Sequence, residues 1–198
     1  MPDIEGFILV GGASSRMGAD KSWLTLGGET FARRIAHALA TVAQKVSLVS
    51  AREEHRSHGL PLVRDVFTGV GALGGLHAAL DTCRTEWAAV VSCDLPFVTP
   101  RLFERFASLR GQDCDAVAPV QPDGRPQPLC ALYARDPCDA LAAQMIAEGE
   151  LRPRLLLRRV RTRWVEPREL EDLEGHELFF TNVNTPDDLA QARQISGQ

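Results

Sequence analysis

The chain has 198 residues, of which 44% are hydrophobic and 24% are charged, and its formal net charge at pH 7 is -4. This length and apolar content suffice for a full core, and we expect a single domain over residues 1–198. The slightly acidic balance argues against a basic nucleic-acid surface, and nothing resembles a membrane span or an export signal. We therefore expect a cytoplasmic protein with no nucleic-acid or membrane partner.

The cysteines form neither a metal-binding nor a disulfide pattern. Five is an odd number, and no C-x-x-C pair occurs, which argues against a disulfide framework and a zinc cluster. Isolated cysteines commonly behave as small apolar residues, so we expect them to be buried. They are Cys83, Cys93, Cys114, Cys130 and Cys138.

The first predicted element is a short apolar strand that breaks into a glycine-rich loop. Ile8 to Val10 read as a buried strand of a parallel sheet, and Gly11 and Gly12 let backbone amides approach an anion closely. Arg16 and Lys21 add a planar fork and a point charge that suit phosphate oxygens. The spacing fits neither G-x-x-x-x-G-K-[ST] nor G-x-G-x-x-G. The loop therefore predicts a triphosphate site of another kind.

Strand-like runs and helical periods alternate along the rest of the chain. This alternation is typical of an α/β protein with a mostly parallel sheet. Apolar residues recur at helical spacing at Phe31, Ile35 and Leu39. Further strands are predicted at Val46 to Ser50, Leu60 to Val63, Ala88 to Ser92 and Pro128 to Tyr133.

Three dipeptides that end in proline predict helix starts. Thr99-Pro100, Asp136-Pro137 and Thr185-Pro186 each read as an N-cap followed by proline at the first helical position. Asp188 stands where a capping box would place an acid. We therefore predict that the last helix begins after Thr185.

An acidic residue follows the strand predicted to end at Ser92. Asp94 would lie at the carboxyl end of a central strand, where open α/β sheets bind ligands. A carboxylate there can hold Mg²⁺, with water and phosphate oxygens completing the coordination. Asp94 could instead cap the turn before Pro96, and the residues alone leave both interpretations open.

A literal G-x-G-x-x-G occurs at Gly69 to Gly74, after a predicted strand and before a helical pattern. This is the fingerprint of dinucleotide binding, so an NAD(P)-binding oxidoreductase is a rival function. It ranks lower because the fingerprint follows a later strand and leaves Arg16 and Lys21 without a role. If the first loop binds phosphate, a side chain at Gly11 or Gly12 should weaken ligand binding strongly. Gly69→Ala should weaken it less, unless Gly69 needs a positive φ.

The string from Leu9 to Lys21 resembles the signature L-A-G-G-x-S-x-R-M-G-x-D-K of the molybdenum cofactor guanylyltransferases, with one departure at Val10. The segment from Asn182 to Leu189 is similar to the family's N-x-N-T-P-x-D-L, and Gly71 to Gly75 approximates its G-P-L-x-G with Ala in place of Pro. The resemblance spans almost the whole chain and is dense at residues 9 to 21, 93 to 96 and 182 to 189.

The resemblance implies a three-layer Rossmann-like nucleotidyltransferase fold, a mostly parallel sheet with helices on both faces. Its N-terminal part would bind GTP and its C-terminal part the acceptor. The implied reaction is a Mg²⁺-dependent transfer of GMP from GTP to the terminal phosphate of molybdopterin, which releases pyrophosphate; Mn²⁺ is the alternative metal. Molybdoenzyme apoproteins or their chaperones are implied as further partners. The glycine pair favours GTP over CTP, and a cytidylyltransferase or a sugar-phosphate nucleotidyltransferase stays as the alternative.

The resemblance also implies roles for individual residues. Asp94 would hold the metal and act in catalysis together with Lys21 and Arg16. Asn182 and Asn184 could instead stabilise the turn before the last helix. The residues implied for GTP are Leu9, Val10, Gly11, Gly12, Lys21, Asp65 and Asp94, and those implied for the acceptor pterin are Gln127, Asn182 and Asn184.

The remaining charged patterns carry less information. Six arginines lie between Arg152 and Arg163, interleaved with leucines; we expect a solvated helix face, with contact between Arg152 and the anionic acceptor or an acidic partner as the alternative. His55 and His58 fall in a polar connection. No histidine is spaced with a serine or cysteine and an acid in a way that indicates a triad.

Overall fold

The structure is a computed structural model that describes residues 3–10, 20–65, 67 and 69–197. These residues form a seven-stranded sheet and a two-stranded ribbon. In chain order the strands are β1 (Ile4–Leu9), β2 (Thr25–Leu26), β3 (Glu29–Thr30), β4 (Val46–Ser50), β5 (Leu62–Arg64), β6 (Trp87–Ser92), β7 (Ala116–Pro119), β8 (Cys130–Ala134) and β9 (Thr162–Val165). The ribbon consists of β2 and β3.

The α-helices connect these strands and flank the sheet. Among the described residues, none of them is both long and apolar enough to span a bilayer. They are α1 (Phe31–Leu39), α2 (Ala72–Thr82), α3 (Pro100–Ser108), α4 (Arg135–Ala147), α5 (Pro153–Arg159) and α6 (Pro186–Ile195). Short 3₁₀ helices occur at Lys21–Trp23, Glu53–His58, Pro167–Glu169 and His176–Leu178.

The strand order places a ligand-binding crevice in the middle of the sheet. The order is β5-β4-β1-β6-β8-β7-β9, and β8 pairs antiparallel with both neighbours while the other pairs are parallel. From β1 the chain first moves outward to β4 and β5, and then returns to place β6 on the other side of β1. Such a reversal is a topological switch point, and ligands bind there at the carboxyl ends of the strands.

Helices cover both faces of the sheet because β1 alternates its apolar side chains between them. Ile4 and Ile8 pack into the core that contains α1 and α3, whereas Phe7 and Leu9 pack into the core that contains α2, α4 and α5. Successive side chains of a strand point to opposite faces, so a strand buried on both faces is apolar throughout. The predicted fold class is confirmed: three layers, with a mostly parallel sheet in the centre.

Two of the three predicted N-caps are confirmed. The Thr99 hydroxyl accepts a hydrogen bond from the backbone N–H of Leu102 at 3.4 Å. Thr185 caps α6, and Asp188 completes a capping box there. Four of the five cysteines are buried and Cys114 is half-buried, which agrees with the expected apolar role.

The third predicted N-cap is wrong. Strand β8 runs directly into α4, which begins at Arg135 with no side-chain cap. Pro137 lies in the first turn, where the missing N–H group costs nothing because those donors have no partner within the helix. Asp136 pairs with the Arg135 side chain at 2.8 Å instead.

Two predicted strand boundaries also shift toward the C-terminus. The strand predicted from Leu60 is β5, which starts at Leu62, after Pro61. The strand predicted from Pro128 is β8, which starts at Cys130. In both cases a proline precedes the observed strand, and proline cannot donate to a sheet ladder.

Candidate active site

Three side chains from distant parts of the chain meet beyond the carboxyl end of β6. Lys21 comes from the 3₁₀ turn after the glycine-rich segment, Asp94 follows β6, and Asn184 precedes α6. The Nζ atom of Lys21 lies 3.8 Å from Oδ2 of Asp94 and donates a hydrogen bond to Oδ1 of Asn184. The structure thus brings three of the predicted site residues together, across 163 positions of sequence between Lys21 and Asn184.

Backbone hydrogen bonds hold the C-terminal part of this cluster in place. The backbone N–H of Val183 donates to the carbonyl oxygen of Asp94 at 2.9 Å. Those of Asn184 and Thr185 both donate to Oδ2 of Asp188 at 2.8 Å. The capping box of α6 therefore fixes the backbone that carries Asn184 against the end of β6.

Asp94 has the chemistry of a metal ligand. Its Oδ1 atom is buried and has no hydrogen-bond partner among the residues that the structure describes. An unsatisfied buried acceptor costs about 1–3 kcal/mol, so a hydrogen-bond donor or a cation at this atom would be stabilising. Hard divalent cations prefer carboxylate oxygens and keep open positions for water and phosphate. Asp94 is therefore a residue that could hold Mg²⁺ or Mn²⁺.

A cavity of about 440 Å³ lies beside this cluster, between the ends of β1, β4 and β6 and the start of α2. Its volume falls in the range of small-molecule sites, about 300–1,000 Å³. Because Ser92 lies in its wall, the cavity reaches to within two residues of Asp94. Other residues in its lining are Leu9, Val10, Ser50, Asp65 and Gly75.

Asp65 provides a carboxylate in the wall of this cavity. Its Oδ1 atom accepts a hydrogen bond from the backbone N–H of Phe67 at 3.1 Å. Burial raises the pKa of Asp65 above its usual value, and the bond from Phe67 only partly offsets this effect. A carboxylate accepts hydrogen bonds only, so Asp65 suits a ligand edge that carries N–H or O–H donors.

Replacing this carboxylate should raise the stability of the folded protein at neutral pH. Because the folded-state pKa of Asp65 is raised, its stabilising contribution is complete below the unfolded pKa of about 3.9 and is lost as the pH rises through the folded value. We therefore expect Asp65→Asn to melt at a higher temperature than the wild type at pH 7, with the difference vanishing toward pH 3. Melting curves of both proteins across this range check the sign. A difference that grows as the pH falls would contradict it.

The second glycine-rich loop belongs to the same cavity. Gly69 and Gly71 line it and have φ angles of 81° and 67°. An added Cβ at either position meets no atom within 4 Å, but the left-handed conformation itself costs about 1–2 kcal/mol for other residues. Gly69 therefore has the positive φ that was named as the exception, so the prediction of a smaller cost for Gly69→Ala does not apply.

Other predicted site residues lie away from the cluster of Lys21, Asp94 and Asn184, or are not among the residues that the structure describes. Gly11, Gly12 and Arg16 fall on residues that the structure does not describe. Gln127 is half-buried and Asn182 is exposed. Among the described residues, no hydrogen bond joins the side chain of either to Lys21, Asp94 or Asn184.

The arginine stretch is largely engaged in surface ion pairs. Arg152 donates from Nε to Oε1 of Glu150 at 2.7 Å, and the hydrogen bond from Arg152 lowers the pKa of Glu150 to about 2. Arg159 and Arg161 pair with Glu148 and Asp115. The expected solvated helix face is confirmed for Arg154, Arg158 and Arg159, which lie exposed on α5, whereas Arg161 and Arg163 lie beyond the helix. The contact of Arg152 with the acceptor or an acidic partner stays a prediction.

Two residues at or next to the cavity beside β1, β4 and β6 were not predicted from the sequence. Ser50 ends β4 and lines the cavity, and the buried His55 bonds to it through Nδ1 at 2.7 Å. His55 and His58 do lie in the polar connection between β4 and β5, as predicted, but both are buried. The position of Ser50 at the carboxyl end of a predicted strand was the available signal.

A second cavity, of about 470 Å³, lies further along the same edge of the sheet. Val120 and Gln121, which follow β7, line it together with Phe180 and Thr181. Thr181 is two residues from Val183, which contacts Asp94, and two residues span at most about 7 Å. This cavity therefore lies close to the cluster on the side away from β1.

Comparisons of the sequence with known proteins agree on a family. The family described as the MobA-like NTP transferase domain matches residues 6–164. A probable molybdenum cofactor guanylyltransferase of Pelotomaculum thermopropionicum is 35% identical over 192 residues, 96% of this chain and 92% of that protein. A molybdenum cofactor guanylyltransferase of Desulfosudis oleivorans is 27% identical over 194 residues, 97% of this chain and 95% of that one.

Solved structures agree with this result. Molybdopterin-guanine dinucleotide biosynthesis protein A from Archaeoglobus fulgidus is similar with a TM-score of 0.80 and 26% identity, over 98% of both chains. The 2-C-methyl-D-erythritol 4-phosphate cytidylyltransferase of Thermus thermophilus shares the fold, with a TM-score of 0.70 and 17% identity over 98% of both chains. The chain therefore belongs to the MobA-like NTP transferase family and, within it, to the molybdenum cofactor guanylyltransferases.

Proposed function

We propose that the protein transfers GMP from GTP to the terminal phosphate of molybdopterin, releasing pyrophosphate and forming the guanine dinucleotide form of the cofactor. The names of its relatives support the reaction class. The observation that carries the proposal is the meeting of Lys21, Asp94 and Asn184 beside a nucleoside-sized cavity. A cation, a metal-binding acid and an amide are the groups that phosphoryl-type transfer needs for positioning and charge neutralisation.

The nucleoside of GTP would occupy the cavity at β1, β4 and β6. Leu9 and Val10 form part of its wall, and Asp65 offers oxygens to the ring N–H and amino groups of guanine. Lys21 would contact the triphosphate, joined by Arg16 and the amides of Gly11 and Gly12. Mg²⁺ or Mn²⁺ held by Asp94 would neutralise charge on the phosphate oxygens.

The chemistry requires no general base from the protein. A phosphomonoester has its second pKa near about 6, so the terminal phosphate of the acceptor is largely ionised at neutral pH. One of its oxygens forms a bond to the α-phosphorus of GTP as the bond to the pyrophosphate oxygen breaks. Lys21 and Arg16 would stabilise the charge on the leaving group.

The acceptor would approach from the opposite side of Asp94. Asn184 is held against Lys21, while Asn182 and Gln127 would offer amide groups to the pterin edge. The second cavity, beside Thr181, has a volume of about 470 Å³ and would give the planar ring system a place within reach of the cluster. The two substrates would thus meet over the end of β6.

Nucleotide binding tests the donor half of this proposal and separates it from its alternatives. A ligand that binds the folded state stabilises it by about 2.7 kcal/mol at 100 times its Kd. We expect GTP with Mg²⁺ to raise the melting temperature more than CTP, ATP or NAD does. A larger shift with CTP would favour a cytidylyltransferase, and a shift with NAD alone would favour the oxidoreductase.

Gly75→Ala should separate stability from binding. The Cβ would lie 3.5 Å from Cδ2 of Leu9 and 3.8 Å from Oδ2 of Asp65, which are ordinary contacts. Alanine within a helix is favoured over glycine by about 0.5–1 kcal/mol, so the free protein should melt at a higher temperature. The same methyl group enters the cavity, and GTP affinity should fall. Melting and GTP titration check the two effects.

Gly74→Ala is the matched control for that substitution. Its Cβ would lie 3.1 Å from Cβ of Phe67 and 3.3 Å from Cβ of Val70, so crowding should lower the melting temperature. Unaltered GTP affinity in Gly75→Ala would show that the nucleoside does not occupy this cavity.

A further inference from the structure

A continuous series of hydrogen bonds connects Asp20, which follows the glycine-rich loop, to the cavity at β1, β4 and β6. Asp20 precedes Lys21, and its Oδ2 atom lies 2.7 Å from Nε2 of His55. The other ring nitrogen, Nδ1, lies 2.7 Å from Oγ of Ser50, which lines the cavity. His55 is fully buried, and none of the steps described above uses it.

The ionisation of Asp20 determines which atoms donate in the hydrogen bonds between Asp20, His55 and Ser50. Burial would raise the pKa of Asp20, but the hydrogen bonds from Ser22 and His55 together outweigh it and lower the pKa. The carboxylate is therefore ionised at neutral pH and accepts, so Nε2 of His55 donates to it. With the ring hydrogen on Nε2, Nδ1 is the acceptor nitrogen of the imidazole and can take the hydroxyl hydrogen of Ser50.

This arrangement fixes what Ser50 can offer to a ligand. A hydroxyl has one hydrogen and two acceptor lone pairs. The hydrogen points to His55, and the backbone N–H of Arg52 donates to Oγ of Ser50 at 3.0 Å. One lone pair is left, so Ser50 presents an acceptor to an N–H or O–H group in the cavity.

Hydrogen bonds fully account for the polar atoms around Asp20, without a further ion. Asp20, Glu54 and His55 lie close enough together to suggest a metal site. However, Asp20 already accepts from Ser22 at 2.9 and 2.7 Å and from Arg52 at 3.1 Å, and Glu54 pairs with Arg52. The cluster is therefore a brace between two loops.

We propose that His55 is a positioning residue that couples the two halves of the nucleotide site. Through Nε2 it holds Asp20, and with it the neighbouring Lys21, in place for the triphosphate. Through Nδ1 it orients Ser50 toward a donor group of the nucleoside. The inference rests on the proposed function, because it takes GTP as the ligand of the cavity.

Two substitutions can break the two ends of the brace separately. In His55→Gln the amide reaches the place of Nε2 and keeps the bond to Asp20, while Ser50 loses its partner. In His55→Asn the shorter amide reaches the place of Nδ1 and keeps the bond to Ser50, while Asp20 loses its partner. The exposed His37, on α1, provides the control His37→Gln.

Binding of tripolyphosphate and of GTP, measured by calorimetry with Mg²⁺, reports on the two ends. We expect His55→Gln to bind tripolyphosphate like the wild type and to lose about three- to tenfold of the extra affinity that guanosine contributes, the range for one hydrogen bond. His55→Asn should weaken both ligands by about the same factor and keep the guanosine contribution. His37→Gln should match the wild type.

A merely structural histidine would give another pattern. Equal losses of tripolyphosphate affinity and of the guanosine contribution in both variants, or no loss in either variant, would overturn the coupling. If His55→Gln does not fold, Ser50→Ala replaces it and should show the same loss of the guanosine contribution; an unaltered guanosine contribution in Ser50→Ala would also overturn the coupling. Failure of the wild type to bind GTP better than tripolyphosphate would instead contradict the proposed function.

Discussion

Asp94→Asn is expected to lower guanylyl transfer by about 10³-fold, the scale of losing several kcal/mol of charge stabilisation. The substitution keeps the shape of the side chain and removes the charge on which a divalent cation depends. The Oδ1 atom of Asp94 has no hydrogen-bond partner among the described residues, so the fold should tolerate the amide. Pyrophosphate release under saturating GTP and Mg²⁺ measures the loss, and an unchanged melting temperature shows that folding is intact.

Asp139→Asn provides the control for this result. Asp139 also has a buried oxygen without a hydrogen-bond partner in the described part of the chain, but it lies on α4 beside His77. Its replacement should leave transfer at the wild-type level. If Asp94→Asn keeps near wild-type activity at moderate Mg²⁺, the metal assignment is wrong.

Lys21→Ala should weaken GTP binding by about 10- to 100-fold, since hydrogen bonds to charged groups contribute about 1.5–3 kcal/mol. Lys21 is held at 3.8 Å from Asp94 and by Asn184, outside the cavity that would take the base. The preference for GTP over CTP should therefore persist. Titration of both nucleotides measures affinity and preference separately.

The other lysine of the chain, Lys45, serves as the control for Lys21. It precedes β4 at the opposite edge of the sheet, where its carbonyl oxygen accepts from Gly6 at 2.8 Å. Lys45→Ala should bind GTP as the wild type does. A changed base preference in Lys21→Ala with unchanged affinity would move Lys21 from the phosphates to the base.

Much of the fold could be predicted from the sequence because strand burial and helix capping depend on residues that are close together in the chain. The strand predicted at Ile8 to Val10, which the structure extends back to Ile4 and ends at Leu9, and the caps at Thr99 and Thr185 each depend on neighbouring residues. The start of α4 could not be read this way, since Asp136-Pro137 has the form of a cap. There the uninterrupted passage from β8 into α4 determines the boundary.

The site could be predicted in part for the same reason. Asp94 was found because it follows the predicted central strand that ends at Ser92, and Lys21 because it ends a glycine-rich loop. The brace of Asp20, Ser50 and His55 was not found. His55 is 5 positions from Ser50 and 35 positions from Asp20. The three side chains meet only because the segment after β4 packs against the turn that contains Asp20.

The most direct test of the proposed function is the product itself. The purified protein would be incubated with GTP, molybdopterin and Mg²⁺, and the products would be separated and identified by mass spectrometry. We expect molybdopterin guanine dinucleotide and one pyrophosphate for each molecule formed, with little product when CTP replaces GTP. Absence of the dinucleotide from a folded protein that binds GTP, or faster product formation with CTP, would contradict the account.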